Sequence, residues 1–227
     1  GGQALLESAQ SPPPREEWRT ALLLDLASYT PFLRALELRG RRDLLIQFMA
    51  DFFSCAISAL DDEDGEVSDL TGDGLAAIFS EEDTKEQARR AVKCACQIGA
   101  AVGEWRTRVM ETCKAESLKG ITAPGLRIGI AASETQIQVF GTQNQQRLVF
   151  FGGAFVLAAR VEQSIKKLPA PESAERIRIC LDESVWNSLP EEERGKISVK
   201  EHDEISAQGI EHRLKLYELI LQQKKEE

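Results

Sequence analysis

The chain has 227 residues, a net charge of −9 and a pI near 5.0, a length that suits one domain with a good core and is short for two. The acidic balance excludes a nucleic-acid surface, which needs a basic stripe to displace counterions, and it speaks against anionic membranes. No uninterrupted apolar run approaches the ~18 residues of a membrane span, so direct membrane insertion of this segment is not expected.

Residues 1–16 read as an arm or linker, because Ser11-Pro12-Pro13-Pro14 favours extended backbone without N–H donors. The opening Gly1-Gly2-Gln3 reads as an engineered or internal cut, and an upstream sensor domain is expected to attach here. The domain itself is placed at 17–222, with a charged tail at 223–227. Trp18–Leu26 is an apolar run with a polar end and reads as a buried strand. Thr30-Pro31 reads as an N-cap followed by a first-turn proline, opening a helix to about Leu38.

A second helix spans 42–60 on a broad apolar stripe that includes Leu44, Phe48, Phe52, Ala56 and Leu60. Gly65–Phe79 follows as a hairpin around Thr71-Gly72-Asp73-Gly74, a turn expected to need positive φ. Asp83-Thr-Lys-Glu86 resembles a capping box and opens a long amphipathic helix through Trp105. Leu126–Ala132 and Thr135–Gly141 alternate with period two, and Ser133-Glu134 reads as the turn between them. A strand at Arg147–Phe151 enters Gly152-Gly153 and an alanine-rich helix to about Lys166. Strands at Ile177–Leu181, Ile197–His202 and Leu214–Ile220, with a short helix at Glu183–Leu189 and a charged turn at Pro190–Gly195, complete the chain. Through Ala132 the order is βαββαβ, so the fold class is α+β: a ferredoxin-like core with additional C-terminal strands and a short helix.

The five cysteines are odd in number and lack zinc-ligand spacing, so they read as reduced thiols of a cytoplasmic protein, mostly filling core. His202 and His212 have no nucleophile or metal-ligand spacing beside them. The carboxylates carry more. In the βαββαβ plan Asp25 ends the first strand close to the hairpin tip that holds Asp73. Two carboxylates on rigid backbone repel unless they share a proton or a cation, and hard oxygen ligands without His or Cys favour Mg²⁺ or Mn²⁺. Ser28, Tyr29 and Thr30 then turn into a helix N-terminus, where free backbone N–H groups attract phosphate. Together these suggest a nucleoside triphosphate. On the residues alone, unrelated surface acids are the open alternative.

Asp25-Leu-Ala-Ser-Tyr-Thr30 resembles D-I-x-G-F-T of the class III adenylyl/guanylyl cyclase catalytic domain, and Leu70–Phe79 resembles its x-x-G-D-x-h-h-A-x-F, h being apolar. Arg127-Ile-Gly-Ile130 resembles the R-I-G-I of its central strand, and Gly152–Arg160 resembles G-D-x-V-N-x-A-A-R. The match runs from about Trp18 to Leu219, in order and with the family's spacings.

The resemblance implies two divalent ions, Mg²⁺ or Mn²⁺, held by Asp25 and Asp73 with the backbone carbonyl of Leu26. It implies ATP or GTP as substrate and Arg160 as the group that stabilises transition-state charge. It also implies a head-to-tail dimer, in which one subunit gives the aspartates and the other gives the base-reading pair, the ribose-orienting Asn, the Arg and a phosphate-binding Lys. Several of those positions are degenerate. Asp69 stands where a purine-reading Lys belongs, Val149 where the second base reader belongs, Val156 in place of the Asn and Gln208 in place of the phosphate-binding Lys. Ser28 replaces a glycine, and Ala131 and Ser133 replace the His and last Gly of R-I-G-I-H-x-G. A homodimer would then build two sites short of one half, whereas a heterodimer with a fuller partner could complete one. Three readings follow: a cyclase domain, a catalytically inactive pseudo-cyclase that dimerises and senses nucleotide, and a scaffold with residual aspartates.

Overall fold

A computed structural model describes residues 13–142, 145–169, 176–205 and 214–221. The elements run β1 (Arg15–Ala27), α1 (Tyr29–Glu37), α2 (Arg42–Asp62), β2 (Glu66–Leu70), β3 (Gly74–Phe79), α3 (Thr84–Ala115), β4 (Gly125–Thr142) and β5 (Gln145–Phe151). They continue with α4 (Gly153–Ile165), β6 (Ile177–Asp182), α5 (Glu183–Ser188), α6 (Glu191–Arg194), β7 (Val199–Ile205) and β8 (Leu214–Leu219). One mixed sheet has the order β2-β3-β1-β4-β6-β8-β7, with β5 paired to β4. Its first four strands have the antiparallel neighbours of a ferredoxin-like core, and β4–β6 is the parallel pair.

Strand alternation sorts the core into two layers. Leu22, Leu24 and Leu26 of β1, with Leu126, Ile128 and Ile130 of β4, point to the face covered by α2 and α3. There Trp105 donates its indole N–H to the Phe48 carbonyl at 2.9 Å and packs against Phe52. Ala21, Ala131 and Cys180 point the other way, onto Ala154, Ala158, Val161 and Ile165 of α4. By length and composition α2 could cross a bilayer. Its Leu44, Phe48, Phe52, Ala56 and Leu60 instead lie in the protein core.

Several sequence expectations are corrected. Ser133-Glu134 is not a turn: β4 is one strand of 18 residues, and these two pair with Arg19 and Trp18 of β1. Both lie within the continuous ladder, between the buried Ala132 and Thr135. Neither Gly72 nor Gly74 takes positive φ. Gly74 is needed for another reason, since a Cβ there would lie 2.7 Å from the Leu24 carbonyl oxygen and 2.8 Å from Thr71 Oγ1.

Thr30 is not the cap of α1: the helix starts two residues earlier, at Tyr29, after Ser28 in the left-handed region at φ 66. Pro31 is tolerated because first-turn N–H groups have no intrahelical acceptor. At α3 the Asp83 carboxylate does accept from the Lys85 N–H at 2.9 Å, whereas Glu86 turns to Arg89 and Arg90 instead of closing a capping box. The turn expected at Pro190–Gly195 contains the short helix α6. Residues 15 and 16 of the expected linker belong to β1, while its first twelve residues lie outside the described part.

Candidate active site

Asp25 is the third residue from the end of β1, where alternation turns its side chain to the α4 face. Its backbone register places it opposite Gly74 of β3 on one side and Arg127 of β4 on the other. The bare α-carbon of Gly74 lets the hairpin tip fold against β1, and the Leu26 N–H donates to the Asp73 carbonyl at 3.1 Å. The two carboxylates are thereby held together. Burial first, and then the Asp25 charge, raise the Asp73 carboxyl above the ordinary aspartate range, with Arg127 pulling the other way. Burial and the Asp73 charge also raise the Tyr29 hydroxyl, so the start of α1 faces the same pair.

Ser28 makes no side-chain cap bond, and the Phe32 N–H reaches its carbonyl only at 3.4 Å. The N–H groups of Tyr29 and Thr30 belong to the first turn, which lacks intrahelical acceptors, so they suit an anionic group.

Two further residues belong to this cluster, and neither was singled out from sequence as a site residue. The Arg127 guanidinium bonds the Asp25 carboxylate through Nη2 and that of Glu162 through Nε, the latter at 2.6 Å. Glu162 is 8% exposed on α4, with Lys166 Nζ 3.8 Å from its carboxylate. Gly129 explains the approach: a Cβ there would sit 2.4 Å from the Ala158 carbonyl oxygen and 2.5 Å from the Glu162 nitrogen. A positive charge two residues before a glycine on the central strand was the available signal.

The arrangement offers two hard carboxylates and a helix N-terminus at one end of the sheet. Among the described residues no cluster of three or more His, Cys, Asp or Glu forms a ready metal cage. A divalent ion here would need waters or substrate oxygens to complete its shell, which suits Mg²⁺ or Mn²⁺.

No family model matches the chain. A curated "Adenylate cyclase, terminal-differentiation specific" of Dictyostelium discoideum is 27% identical over 180 residues, covering 78% of this chain and 8% of that protein. The chain thus matches a small fraction of that relative's length. Among solved structures, a guanylyl cyclase aligns with a TM-score of 0.72 at 16% identity, covering 90% of this chain and 92% of the other. An adenylyl cyclase from P. aeruginosa gives 0.65 at 16% identity, covering 94% and 98%. The guanylate cyclase domain of RhGC from Catenaria anguillulae, solved with GTP, gives 0.67 at 16% identity, covering 92% and 100%. The chain has the class III nucleotidyl cyclase fold.

Within this cyclase fold the remaining family positions fall elsewhere. Asp69 is exposed on β2, where its carboxylate accepts from the Leu70 N–H at 2.9 Å. Val149 pairs with Gln138, eleven residues along β4 from Arg127. At ~3.3 Å per residue that is about 36 Å along the strand from the aspartates. Val156 is 45% exposed on α4. Arg160 donates to Gln163 Oε1 at 2.9 Å, and a two-residue offset on a helix points it away from the Glu162 face. Gln208 and His212 lie outside the described residues. One cyclase-fold chain therefore brings together Asp25, Asp73, Leu26 and Ser28–Thr30, and does not bring Val149 or Arg160 to them. His202 joins a structural network, bonding Glu218 at 2.7 Å, which also takes both arms of Arg178. The five thiols are free, and burial raises those of Cys94 and Cys180 well away from reactivity.

Proposed function

We propose that this domain converts a nucleoside triphosphate, ATP or GTP, into a cyclic nucleotide and pyrophosphate, at a site shared between two chains. The observation that carries the reading is the pairing of Asp25 and Asp73 at the end of β1, beside the first turn of α1, on a cyclase fold. The cyclase relatives support nucleotide chemistry: one neighbouring structure is a complex with GTP, and another, a guanylyl cyclase of converted specificity, holds ATPαS.

The donor set fits divalent ions. Asp25 and Asp73 would hold Mg²⁺ or Mn²⁺, with the Leu26 carbonyl as an added oxygen donor. When bound, such ions lower the pKa of the ribose 3′-hydroxyl and neutralise charge on the triphosphate. The chain's own groups do the rest. The Tyr29 and Thr30 N–H groups receive phosphate oxygens, and the positive end of α1 lowers the energy of charge building there. Arg127 pairs with Asp25 and offsets its charge.

The second half comes from a partner chain, because Val149 and Arg160 cannot reach the aspartates of their own chain. Support comes from the distal sheet. Phe140, Val149 and Phe151 share the face that α2 and α3 cover elsewhere, and Phe140 and Phe151 are 46% and 45% exposed with rings 5.3 Å apart. An uncovered aromatic face at the base-reading position suits a second cyclase-fold subunit, of this chain or another. Arg160 would then act across the interface as the charge-stabilising group. Asp69 and Val149 would make an unusual base pocket, since neither presents the donor of a Lys.

The test is incubation of the pure protein with Mn²⁺ and ATP or GTP, with assay of cyclic product and pyrophosphate. Product is expected, and Asp73→Ala should lower its rate by about 10²-fold or more. Binding of metal and nucleotide without turnover would sink the catalytic reading.

A further inference from the structure

We propose that Glu162 is a positioning residue for the metal site: it holds Arg127 as an exchangeable counter-ion of Asp25, so that Arg127 and a divalent cation compete for the same carboxylate. This rests on the metal-site reading above and assigns roles to two residues outside the expected ligand set.

The argument starts from what can move. Glu162 cannot. Its backbone rides on Gly129, where even a methyl group would meet the Ala158 carbonyl oxygen at 2.4 Å and the Glu162 nitrogen at 2.5 Å. Its carboxylate is nearly buried and its Arg127 contact is 2.6 Å. A buried carboxylate left without its partner is costly, so Arg127 keeps this contact. Asp25 is the opposite case. Its side chain is 29% exposed, and it can exchange a guanidinium for a hydrated cation without stranding a buried charge.

Arg127 stands between the two, one nitrogen to each acid. Two carboxylates, those of Asp25 and Glu162, bond one guanidinium, whose charge also acts on Asp73 beside Asp25, with Lys166 reaching Glu162 at 3.8 Å. In the metal-free protein Arg127 offsets the repulsion between Asp25 and Asp73. When a divalent ion takes Asp25, the guanidinium withdraws to Glu162 alone. Glu162 thus sets how tightly Arg127 grips Asp25, and through that the affinity of the site for metal.

The experiment titrates Mn²⁺ alone, read as loss of its free-ion electron paramagnetic resonance signal, into the intact protein without nucleotide. Wild type, Arg127→Gln, Glu162→Gln, the double variant and Asp73→Ala are compared, with thermal melts to confirm folding. Arg127→Gln removes the competitor and should tighten Mn²⁺ binding about three- to tenfold. Glu162→Gln frees the guanidinium to settle on Asp25 and should weaken binding by a similar factor, an effect that largely disappears in the Arg127→Gln background. A Glu162→Gln effect of equal size in both backgrounds would reduce Glu162 to a general charge or a structural part, and overturn the inference. Unchanged or weaker binding in Arg127→Gln overturns it too, with no need for the Glu162 variants to fold. If wild type and Asp73→Ala titrate alike, the metal-site reading itself falls and takes this inference with it. Metal binding that depends on Asp73 but is indifferent to Arg127 and Glu162 rejects the inference alone.

Discussion

Asp182 shows how one buried carboxyl sets a pH dependence. It caps α5, accepting from the Val185 N–H at 2.9 Å, and burial pushes its carboxyl up to about 7 from 3.8. A raised acid pKa means that the folded state binds more protons than the unfolded state between those values, so stability falls as pH rises through about 4 to 7, at up to about 1.4 kcal/mol per pH unit. Asp182→Asn keeps the capping oxygen and removes the charge. Urea denaturation should find the variant more stable than wild type at pH 8, with the gap closing by pH 4. The aspartates at the site were legible in sequence because Asp-Gly at a hairpin tip and a polar end on an apolar strand are local signals. Arg127 and Glu162 were not, because their meeting depends on how α4 crosses β4 at Gly129. Ser28 lies between: its place beside Asp25 was readable, but its left-handed backbone at φ 66 was not.

Among the elements, periodicity located α2, α5 and the start of α3 to within about two residues, since each has an apolar stripe or a side-chain cap, while α3 runs ten residues past Trp105 to Ala115. It failed on β4. A polar pair within an alternating run reads as a turn, yet Ser133 and Glu134 continue the ladder opposite Arg19 and Trp18 of β1. Local pattern carries no record of what the neighbouring strand presents. The packing of α4 on β4 turns on Gly129, and Gly129→Ala should cost about 3 kcal/mol or more, because the new methyl meets backbone rather than a flexible side chain. A lowered midpoint in thermal or urea unfolding checks this. A loss below ~1 kcal/mol would show that α4 can lift from the sheet.

At the scale of the molecule, Asp25 and Val149 lie about 36 Å apart along β4 and its partner β5, and the proposed function therefore calls for a second chain to complete the site. Phe151→Asp places a charge on the exposed aromatic face next to Phe140, within the stretch where β5 pairs with β4. Sedimentation should show a dimer lost or weakened by at least about tenfold, with cyclase activity falling in parallel and the melting temperature little changed. Dimerisation unaffected by that charge would move the interface elsewhere. The unbroken length of β4 has a mechanical side. It acts as a beam, anchored in the core near Arg127 and carrying bare aromatics near Phe140. Over about 36 Å, a turn of about 5° about the anchored end moves the aromatic end by about 3 Å. A force applied at the aromatic end therefore acts with a long arm on the anchored end, where the carboxylates sit.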